Sequence, residues 1–395
     1  MQLSVIIVSY NVEPYIVQCL KSLYKALQNM EADIWVVDNH SKDSTCHKLQ
    51  HLFPHVHLLK SKHNLGFSKA NNLAIRQCRG KYILLINPDT VVGEDVLNQA
   101  VSFMDAHGDC GELGVRMINP DGSVAMESRR GVPTPMTAFY KMSGLCKRFP
   151  TSKRFAHYYM SYLPWDKPVE IEVVSGAFAL LRREALDKVG LLDEDFFMYG
   201  EDIDLSYRIL KGGFKNYYLP LTILHYKGES TRKSSFRYVH VFYQAMLIFF
   251  EKHYHHLSFF VSFPIKVAVY GKATLTLLSI LSNHIYKSLG FVRRSYQDIV
   301  HYVFTGSEKS AQTCKALALQ NGIIVELHIS KSASELPDTH FNVPNTSLAV
   351  VVFDMAFYTY ENVLQYMSRH YNEHIEVGFY YPESRTIITS KEVIR

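Results

Sequence analysis

Four apolar runs of strand length occur in the first 90 residues of the chain, and each of them ends in polar side chains. The fourth run, Tyr82 to Ile86, stops abruptly at Asn87-Pro88-Asp89. A continuous apolar run is typical of a strand buried on both faces, as in a parallel sheet. The other three runs span Leu3 to Val8, Ile34 to Val37 and Val56 to Leu59. Helical segments separate the runs, and this alternation predicts an α/β fold with a mostly parallel sheet and right-handed crossovers.

Polar residues follow each strand of this predicted sheet. They are Ser9, Tyr10 and Asn11, then Asp38, then Asn64 and Gly66, and finally Asn87 and Asp89. The carboxyl ends of parallel strands share one edge, which is where open α/β sheets bind ligands. Any one of these residues is an ordinary loop residue, but four groups in register favour a binding edge. The chain has no glycine-rich dinucleotide or phosphate-loop motif, so we expect a different mode of nucleotide binding.

Asp89 and His225 are candidate metal ligands. Asp89 places a carboxylate at the carboxyl end of a buried strand, where it can hold a divalent cation. His225 follows the apolar segment Leu219 to Leu224. A histidine in that position is more often structural, but beside a metal carboxylate it becomes a second ligand. Neutral imidazole with carboxylate suits Mn²⁺ well and Mg²⁺ less well.

Asp202 is the candidate catalytic carboxylate. It follows Gly200 and several aromatic residues that we interpret as a substrate wall. Asp204, two residues further on, is spaced to pair with Arg208 inside a helix, so we interpret it as structural. Ser175 and Gly176 are small residues after an apolar pair, and small residues let a ligand approach the backbone.

Composition and charge narrow the class of protein. The chain has 395 residues, of which 47% are hydrophobic and 20% charged, as in an ordinary folded protein with room for two domains. The formal net charge of +5 is mild, and we expect no nucleic-acid partner. Six scattered cysteines without a C-x-x-C pair fit a reducing cytosol. The N-terminus enters a strand directly, without the features of a secretion signal, so we expect a cytoplasmic protein.

Two stretches are basic and lack acidic residues. Ser128 to Trp165 is interpreted as a basic loop that meets an anionic acceptor, with a solvated irregular loop as the alternative. Lys252 to Gln297 has apolar pieces too short to span a bilayer, and its composition predicts helices lying on an anionic membrane surface. A buried helical hairpin or an interface of a homo-oligomer is the alternative. We expect residues 1–240, 241–297 and 298–395 to form the main domain, the surface segment and a small α/β domain.

The main domain resembles a family 2 glycosyltransferase of the GT-A fold, in the rhamnosyltransferase-like branch of bacterial surface-polysaccharide synthesis. The matching segments are Val5–Asn11, Val36–Ser41, Asn64–Phe67, Asn87–Asp89, Ser175–Ala177 and Gly200–Leu205. They fall within about the first 240 residues, and as an ordered set they are highly specific. Roughly the last 150 residues fall outside the resemblance.

The resemblance implies a Rossmann-like GT-A domain that transfers a sugar with inversion from a nucleotide-diphosphate sugar to a glycan or lipid-linked hydroxyl. Asp89 is then the last acid of the family's D-x-D metal motif, whose first position is Asn87 here, and Asp202 is the base. Asp38 accepts a hydrogen bond from the nucleotide ring. The resemblance also implies a nucleotide-sugar site that includes Ser9, Tyr10, Asn11, Asn64, Gly66 and Asn87, and an acceptor side at Ser175, Gly176 and Glu201. It implies Mn²⁺ or Mg²⁺ at Asp89 and His225. From the composition of Lys252 to Gln297, we expect the protein to be peripheral on the inner face of the plasma membrane.

Two other functions remain open at this point. A nucleotidyltransferase that makes the sugar nucleotide shares a parallel sheet and a metal carboxylate. It would carry a glycine-rich, basic phosphate loop after its first strand, and Ser9 to Val12 is not such a loop. A catalytically silent membrane scaffold that binds a nucleotide sugar is the third hypothesis, although Asp89 and Asp202 speak against it.

Overall fold

A computed structural model describes residues 1–227, 236–254, 300–333, 336–337, 348–371 and 374–395, together with the single positions 271, 274, 278 and 282. Two sheets organise these residues, one of nine strands and one of six. Beyond Tyr254, the predicted membrane-surface segment lies outside the described ranges, so its conformation stays a prediction. No helix within the described ranges is long and apolar enough to cross a membrane.

The first sheet is built from strands that alternate with helices. Its strands are β1 Leu3–Ser9, β2 Ala32–Asp38, β3 His57–Lys60, β4 Tyr82–Ile86, β5 Thr90–Val92, β6 Cys110–Ile118, β7 Val169–Ile171, β8 Phe178–Arg182 and β9 Lys215–His225. The helices are α1 Glu13–Ala26, α2 Thr45–Leu52, α3 Phe67–Ile75, α4 Val96–Ala106, α5 Pro135–Met142, α6 Leu145–Arg148, α7 Arg183–Val189, α8 Glu201–Lys211 and α9 Phe236–Tyr254. A short 3₁₀ turn covers Met126–Ser128.

Strand order explains where the polar residues gather. The order is β3-β2-β1-β4-β8-β6-β9-β5, with β7 paired to β9, and the first four strands run parallel. Every residue of β4 is buried, as its uninterrupted apolar sequence predicts. Ser9 is paired with Asp38, so the polar ends of β1 and β2 meet at one edge of the sheet. The predicted α/β class with a largely parallel sheet is confirmed.

The second sheet belongs to the C-terminal residues. Its strands are β10 Val300–Gly306, β11 Val325–Ile329, β12 Leu348–Asp354, β13 Ile375–Tyr381, β14 Thr386–Ile388 and β15 Val393–Ile394, with helices α10 Glu308–Gln320 and α11 Tyr360–Arg369. Four parallel strands are followed by an antiparallel hairpin, β14 and β15, that the sequence did not reveal. The exact domain boundaries at 240 and 297 stay predictions.

The two sheets share part of a hydrophobic core. Val91 on β5 and Leu224 and Tyr226 at the end of β9 pack in one cluster with Phe353 on β12 and Leu364 on α11. All five side chains are buried. Burial of large apolar side chains is the main favourable term in domain association. The C-terminal residues are therefore packed directly behind β5 and the end of β9.

A carboxylate of the first domain caps helix α11. Glu94 follows β5 by two residues, and its Oε1 and Oε2 accept hydrogen bonds from Tyr360 N (3.0 Å) and Glu361 N (2.8 Å). The first amides of a helix have no intrahelical acceptor, and the helix dipole favours a negative charge there. The same helix lies over Gly122, where a Cβ would collide with the carbonyl oxygen of Met367. Only glycine permits this approach.

We predict that Glu94→Ala lowers the free energy of unfolding by about 1–3 kcal/mol, because two buried amides of α11 lose a charged acceptor. Equilibrium urea unfolding measures the change. Glu94→Gln is the matched variant: it keeps an acceptor oxygen, so its loss is expected to be smaller. Equal stability of Glu94→Ala and the parent protein would show that the cap contributes nothing to docking.

A second buried carboxyl lies inside the first domain. Glu112 on β6 is 1% exposed, and its Oε2 accepts a hydrogen bond from Ser206 Oγ on α8 at 2.6 Å. Burial raises the pKa of Glu112 to about 8, and the nearby charge of Asp202 adds to the increase. The Glu112 side chain of the folded protein is consequently protonated at neutral pH. In the unfolded chain it loses this proton near the ordinary glutamate pKa of 4.5.

This proton predicts a pH-dependent effect of Glu112→Gln. The native protein binds more protons than the unfolded chain between these two pKa values, so its stability falls as pH rises through that window. Glutamine keeps the bond to Ser206 without a titrating group. The stability of Glu112→Gln relative to the parent is expected to rise between about pH 5 and 8, by a few kcal/mol at most, and to level off above. Urea unfolding across pH tests this, with the exposed Glu326→Gln as control; a difference that is constant with pH would contradict it.

Candidate functional site

The predicted metal ligands lie together, although 136 residues separate them in the chain. Asp89 stands in the turn between β4 and β5, and His225 is the last residue of β9. Because β5 runs antiparallel to β9 with Thr90 opposite His225, the two side chains meet. His225 Nε2 lies 3.3 Å from Asp89 Oδ1 and 3.2 Å from Asn87 Nδ2. The turn is held by Thr90 Oγ1, which donates to Asn87 O at 2.8 Å.

The electrostatics of this pair favour a charged carboxylate. Burial alone would raise the pKa of Asp89, but the charge and the hydrogen bond of His225 outweigh it, so the pKa is lowered. The other ring nitrogen of His225, Nδ1, is buried and has no hydrogen-bond partner among the described residues. A buried polar atom without a partner costs free energy unless a ligand satisfies it.

A divalent cation fits these side chains if a bound ligand supplies its remaining donor atoms. Within the described ranges, no group of three or more His, Cys, Asp or Glu side chains is placed to hold a metal ion. A cation at this position would take one oxygen ligand from Asp89 and one nitrogen ligand from His225. Mg²⁺ and related cations in phosphate-transfer sites are commonly held by one or two protein ligands together with phosphate oxygens. This pair of ligand atoms fits a cation whose remaining coordination positions are filled by the oxygen atoms of a diphosphate.

The ends of β1, β2 and β3 form a second polar group. Asn39 Nδ2 donates to Asn64 Oδ1 (3.0 Å) and to Gly66 O (3.2 Å), and Asn39 Oδ1 accepts from Leu65 N (2.8 Å). Ser9 O accepts from Asn39 N at 2.8 Å. The network ties together the three loops that the sequence singled out. Asn39, which we had not selected, is the residue that joins them.

Two buried atoms at this edge have no partner in the described structure. They are Ser9 Oγ and Asp38 Oδ1. The other carboxylate oxygen of Asp38 accepts from Ser41 N at 3.1 Å, which fixes its orientation. Asn11 accepts from Lys42 N at 2.7 Å through its Oδ1, and Tyr10 beside it is half-buried. Polar atoms that are oriented but unsatisfied are suited to a bound ligand.

Gly66 brings the β3 loop against the other half of the domain. Its φ is +81°, and a Cβ at this position would collide with the carbonyl oxygen of Phe197. The same oxygen accepts from Phe67 N at 2.7 Å. Glycine is therefore required both by the backbone conformation and by the close contact. The aromatic segment before Asp202 is thus fixed to the loop after β3.

Asp202 lies in the first turn of α8 with both carboxylate oxygens engaged. Oδ1 accepts from Ile203 N at 2.8 Å, and Oδ2 accepts from Gly176 N at 3.3 Å. Oδ2 also forms a short ion pair with Arg130. Burial lowers the pKa of Arg130, but the charge of Asp202 overrides this and raises it, so Arg130 stays a cation. Asp202 remains 16% exposed, enough for a substrate hydroxyl to reach it.

The segment Ser175 to Ala177 connects the metal pair to Asp202. Ala177 O accepts from Asn87 N at 3.1 Å, and Gly176 N donates to Asp202. Ser175 Oγ accepts from Ala177 N at 3.4 Å and shapes the turn. The candidate metal ligands and the candidate base therefore lie on either side of one short turn.

Glu201 differs from Asp202 in its environment. It is 6% exposed, and burial followed by the charge of Asp202 raises its pKa to about 8. Burial thus favours the neutral form of the Glu201 side chain. The structure thus brings together Asn87, Asp89 and His225, and separately Ser175, Gly176, Glu201 and Asp202. The roles of all these residues stay predictions.

The basic stretch that begins at Ser128 is only partly a loop. The prediction is wrong for its first two cations, which are integral to the domain: Arg130 pairs with Asp202, and Arg129 is fully buried. The Arg129 guanidinium lies 3.6 Å from the centre of the Trp165 ring and donates to Pro164 O and Leu163 O. Seventy-two residues separate Arg130 from Asp202. No spacing rule links them, and the only sequence signal was a cluster of cations without local counter-charges.

Asp204 is structural, as predicted. Its Oδ2 accepts from Arg208 Nε at 2.8 Å, one helical turn away. Its other oxygen contacts His253 Nε2 at 2.7 Å on α9. Lys252, which we counted as the first cation of the membrane-surface segment, instead pairs with Asp193 and Asp195. Helix α9 is consequently anchored to α8 and the loop before it.

Comparison with known proteins concerns the first of the two domains. The family model "Glycosyl transferase family 2" matches residues 4–190, which include the ends of β1 to β4 and Ser175 to Ala177. An N-acetylglucosaminyl-diphospho-decaprenol L-rhamnosyltransferase of Mycobacterium tuberculosis is 28% identical over 260 residues, covering 62% of this chain and 83% of that protein. Rhamnosyltransferase WbbL of Escherichia coli K12 is 27% identical over 283 residues, covering 60% and 91%.

A solved structure, TarS 1–349 of S. aureus, is 20% identical with a TM-score of 0.40 and covers 63% of this chain and 64% of its own. The family match and the two rhamnosyltransferases concern the domain that contains the site. Residues 4–190 match the model of glycosyl transferase family 2, and the chain is similar to rhamnosyltransferases over its first domain.

Proposed function

We propose that this glycosyltransferase is metal-dependent and inverting, and that it moves a sugar from a nucleotide-diphosphate sugar to a hydroxyl of a lipid-linked or glycan acceptor. The convergence of two groups on one turn carries the proposal: Asn87 beside Asp89 and His225 on one side, and Asp202 on the other, joined by Ser175 to Ala177. Cell-surface polysaccharide synthesis is the proposed process, because two further relatives are named as a minor teichoic acid biosynthesis protein and an O-antigen biosynthesis protein.

Asp202 is the proposed general base. Its carboxylate takes the proton of the acceptor hydroxyl as that oxygen attacks the anomeric carbon from the face opposite the diphosphate. Gly176 N and Arg130 hold Oδ2 in place, so the base is positioned before the acceptor arrives. Glu201 stays neutral beside it and adds no second negative charge.

Asp89 and His225 are the proposed ligands of Mn²⁺ or Mg²⁺. A cation bound there supplies charge neutralisation for the leaving diphosphate. Asp38 and Ser9 present their unpartnered oxygens to the nucleotide, and Asn64 and Gly66 shape its loop. Tyr10, Asn11 and Asn87 complete the donor side, and Ser175 lies on the acceptor side with Gly176.

The donor and acceptor can be identified by direct assay. Because two relatives are rhamnosyltransferases, dTDP-rhamnose is the first donor to test, followed by UDP- and GDP-sugars. Lipid-diphosphate-linked N-acetylglucosamine is the first acceptor, because one relative is named for it. Each reaction is run with Mn²⁺, Mg²⁺ or EDTA. Transfer that persists in EDTA would contradict the proposed metal dependence. An absence of transfer from every donor would contradict the proposed reaction.

We predict that Asp202→Asn lowers kcat at least about 100-fold while the Kd of the donor changes less than about 3-fold, because the base acts only when the acceptor is deprotonated. Asp89→Ala is expected to weaken donor binding in the presence of Mn²⁺. Isothermal titration and initial rates measure the two effects.

Asp204→Asn is the matched control for Asp202→Asn. It removes the same charge two residues away, from a side chain that faces Arg208 and His253. It is expected to lower stability and to keep turnover. A loss of donor affinity in Asp202→Asn as large as that in Asp89→Ala would show that the two roles are assigned wrongly.

A further inference from the structure

An exposed surface combines aromatic and basic side chains beside the candidate base. Met136 and Phe139 on α5 are 53% and 56% exposed, and Phe149 after α6 is 45% exposed. Scattered single apolar residues are normal on a surface, but contiguous ones mark interaction sites. We call this surface the aromatic-basic patch, and its members are Met136, Phe139, Lys147, Arg148, Phe149, Lys153 and Arg154.

The aromatic side chains of the patch are joined through buried neighbours. The rings of Phe139 and Tyr140 lie 6.0 Å apart, those of Tyr140 and Phe155 5.0 Å, and those of Phe155 and Phe149 5.4 Å, centre to centre. Arg154 donates to Tyr140 Oη at 3.1 Å. The two exposed phenylalanines thus belong to one connected aromatic layer.

The charges of the patch are all positive. Lys147, Arg148, Lys153 and Arg154 are exposed, and none of the four has an ion pair with a described residue. No acidic residue occurs between Ser128 and Trp165. Cations elsewhere in the domain, such as Lys215 and Lys252, pair with carboxylates. Four unpaired cations around exposed aromatic side chains match the composition of surfaces that bind anionic membranes.

The patch is rigidly attached to the candidate active site. Val132, two residues after Arg130, packs with Ile203 of α8 and Phe249 of α9, and Ala138 of α5 packs against the same cluster. Val132 N also donates to Glu172 Oε2 at 2.6 Å. The base, its Arg130 partner and the helix that carries Phe139 therefore form one packed unit.

We propose that the aromatic-basic patch is the face by which the protein lies on an anionic membrane leaflet. Phe139 and Phe149 enter the interfacial region, and the four cations lie at the lipid phosphates. This inference rests on the proposed function, because a lipid-linked acceptor presents its sugar at the leaflet surface. Because Ala138 of α5 packs against the cluster that contains Ile203 of α8, the patch and Asp202 belong to the same packed part of the domain.

Co-sedimentation of the full-length protein with vesicles tests the proposal. The probes are vesicles of phosphatidylcholine with 30% phosphatidylglycerol, and vesicles of phosphatidylcholine alone. Each cation near an anionic surface strengthens binding by about 5-fold (about 1 kcal/mol) at low ionic strength. Replacing Lys147, Arg148, Lys153 and Arg154 by glutamine is therefore expected to lower the partition coefficient at least about 10-fold. The double variant Phe139→Ser with Phe149→Ser is expected to lose at least about 10-fold as well.

The C-terminal domain offers a matched control. Leu319 and Ile324 are 60% and 85% exposed, and the double variant Leu319→Ser with Ile324→Ser is expected to bind like the parent. Patch variants that bind anionic vesicles as tightly as the parent would overturn the proposal, and so would a parent protein that does not bind them. The proposal would also be overturned if the patch variants bound vesicles like the parent but had a higher KM for an anionic acceptor. The patch would then bind the acceptor and not the membrane.

Turnover with a detergent-solubilised acceptor separates this proposal from the proposed function. The membrane face replaces the interpretation of the four cations as contacts of an anionic acceptor. The patch variants are therefore expected to keep that turnover, because none of the altered side chains contacts Asp202, Asp89 or His225. Loss of vesicle binding with retained turnover supports the membrane face. An inactive parent protein that still binds vesicles would instead count against the proposed reaction alone.

Discussion

The contact between Asp89 and His225 depends on the pairing of β5 with β9. Neither residue reaches the other unless the three residues of β5 lie antiparallel to the end of β9, with Thr90 opposite His225. A shift of one residue in this register would turn alternate side chains to the other face. The short strand is fully buried, so its position is determined by packing from both sides. The candidate metal site is therefore a product of tertiary structure more than of local sequence.

Packing from one of those sides comes from the C-terminal domain. Phe353 and Leu364 share a core with Val91 and Tyr226, the immediate surroundings of β5 and His225. Glu94 binds the first amides of α11 only five residues after Asp89. Within the C-terminal sheet, Asp354 accepts from Ser307 N and Oγ at the start of α10. In the described ranges, this domain packs against the region of the candidate site.

The sequence predicted the parallel half of the fold well because its signals are local. Apolar runs, turn residues and helix periodicity define β1 to β4 and bring Ser9, Asp38 and Asn64 to one edge. The partnership of Arg130 with Asp202 was missed because the two residues are 72 positions apart and leave no periodic trace. The hairpin of β14 and β15 was missed because strands of three and two residues are too short to show an alternating pattern. Asn39 belongs to the polar end of β2, but its part in connecting the loops depends on contacts with residues 25 to 27 positions away, which the sequence does not show.

The short segment from Asp89 to Glu94 limits how the C-terminal domain can be exchanged between proteins. The candidate metal ligand Asp89 and the helix cap Glu94 are the two ends of one six-residue segment, so a change in the position of α11 also shifts the strand between them. Gly122 adds a second point that tolerates no side chain under α11. Exchange of the C-terminal domain with that of another protein would thus need matching residues at Glu94 and Gly122. We therefore expect the two domains to change together in evolution and not to be exchanged separately.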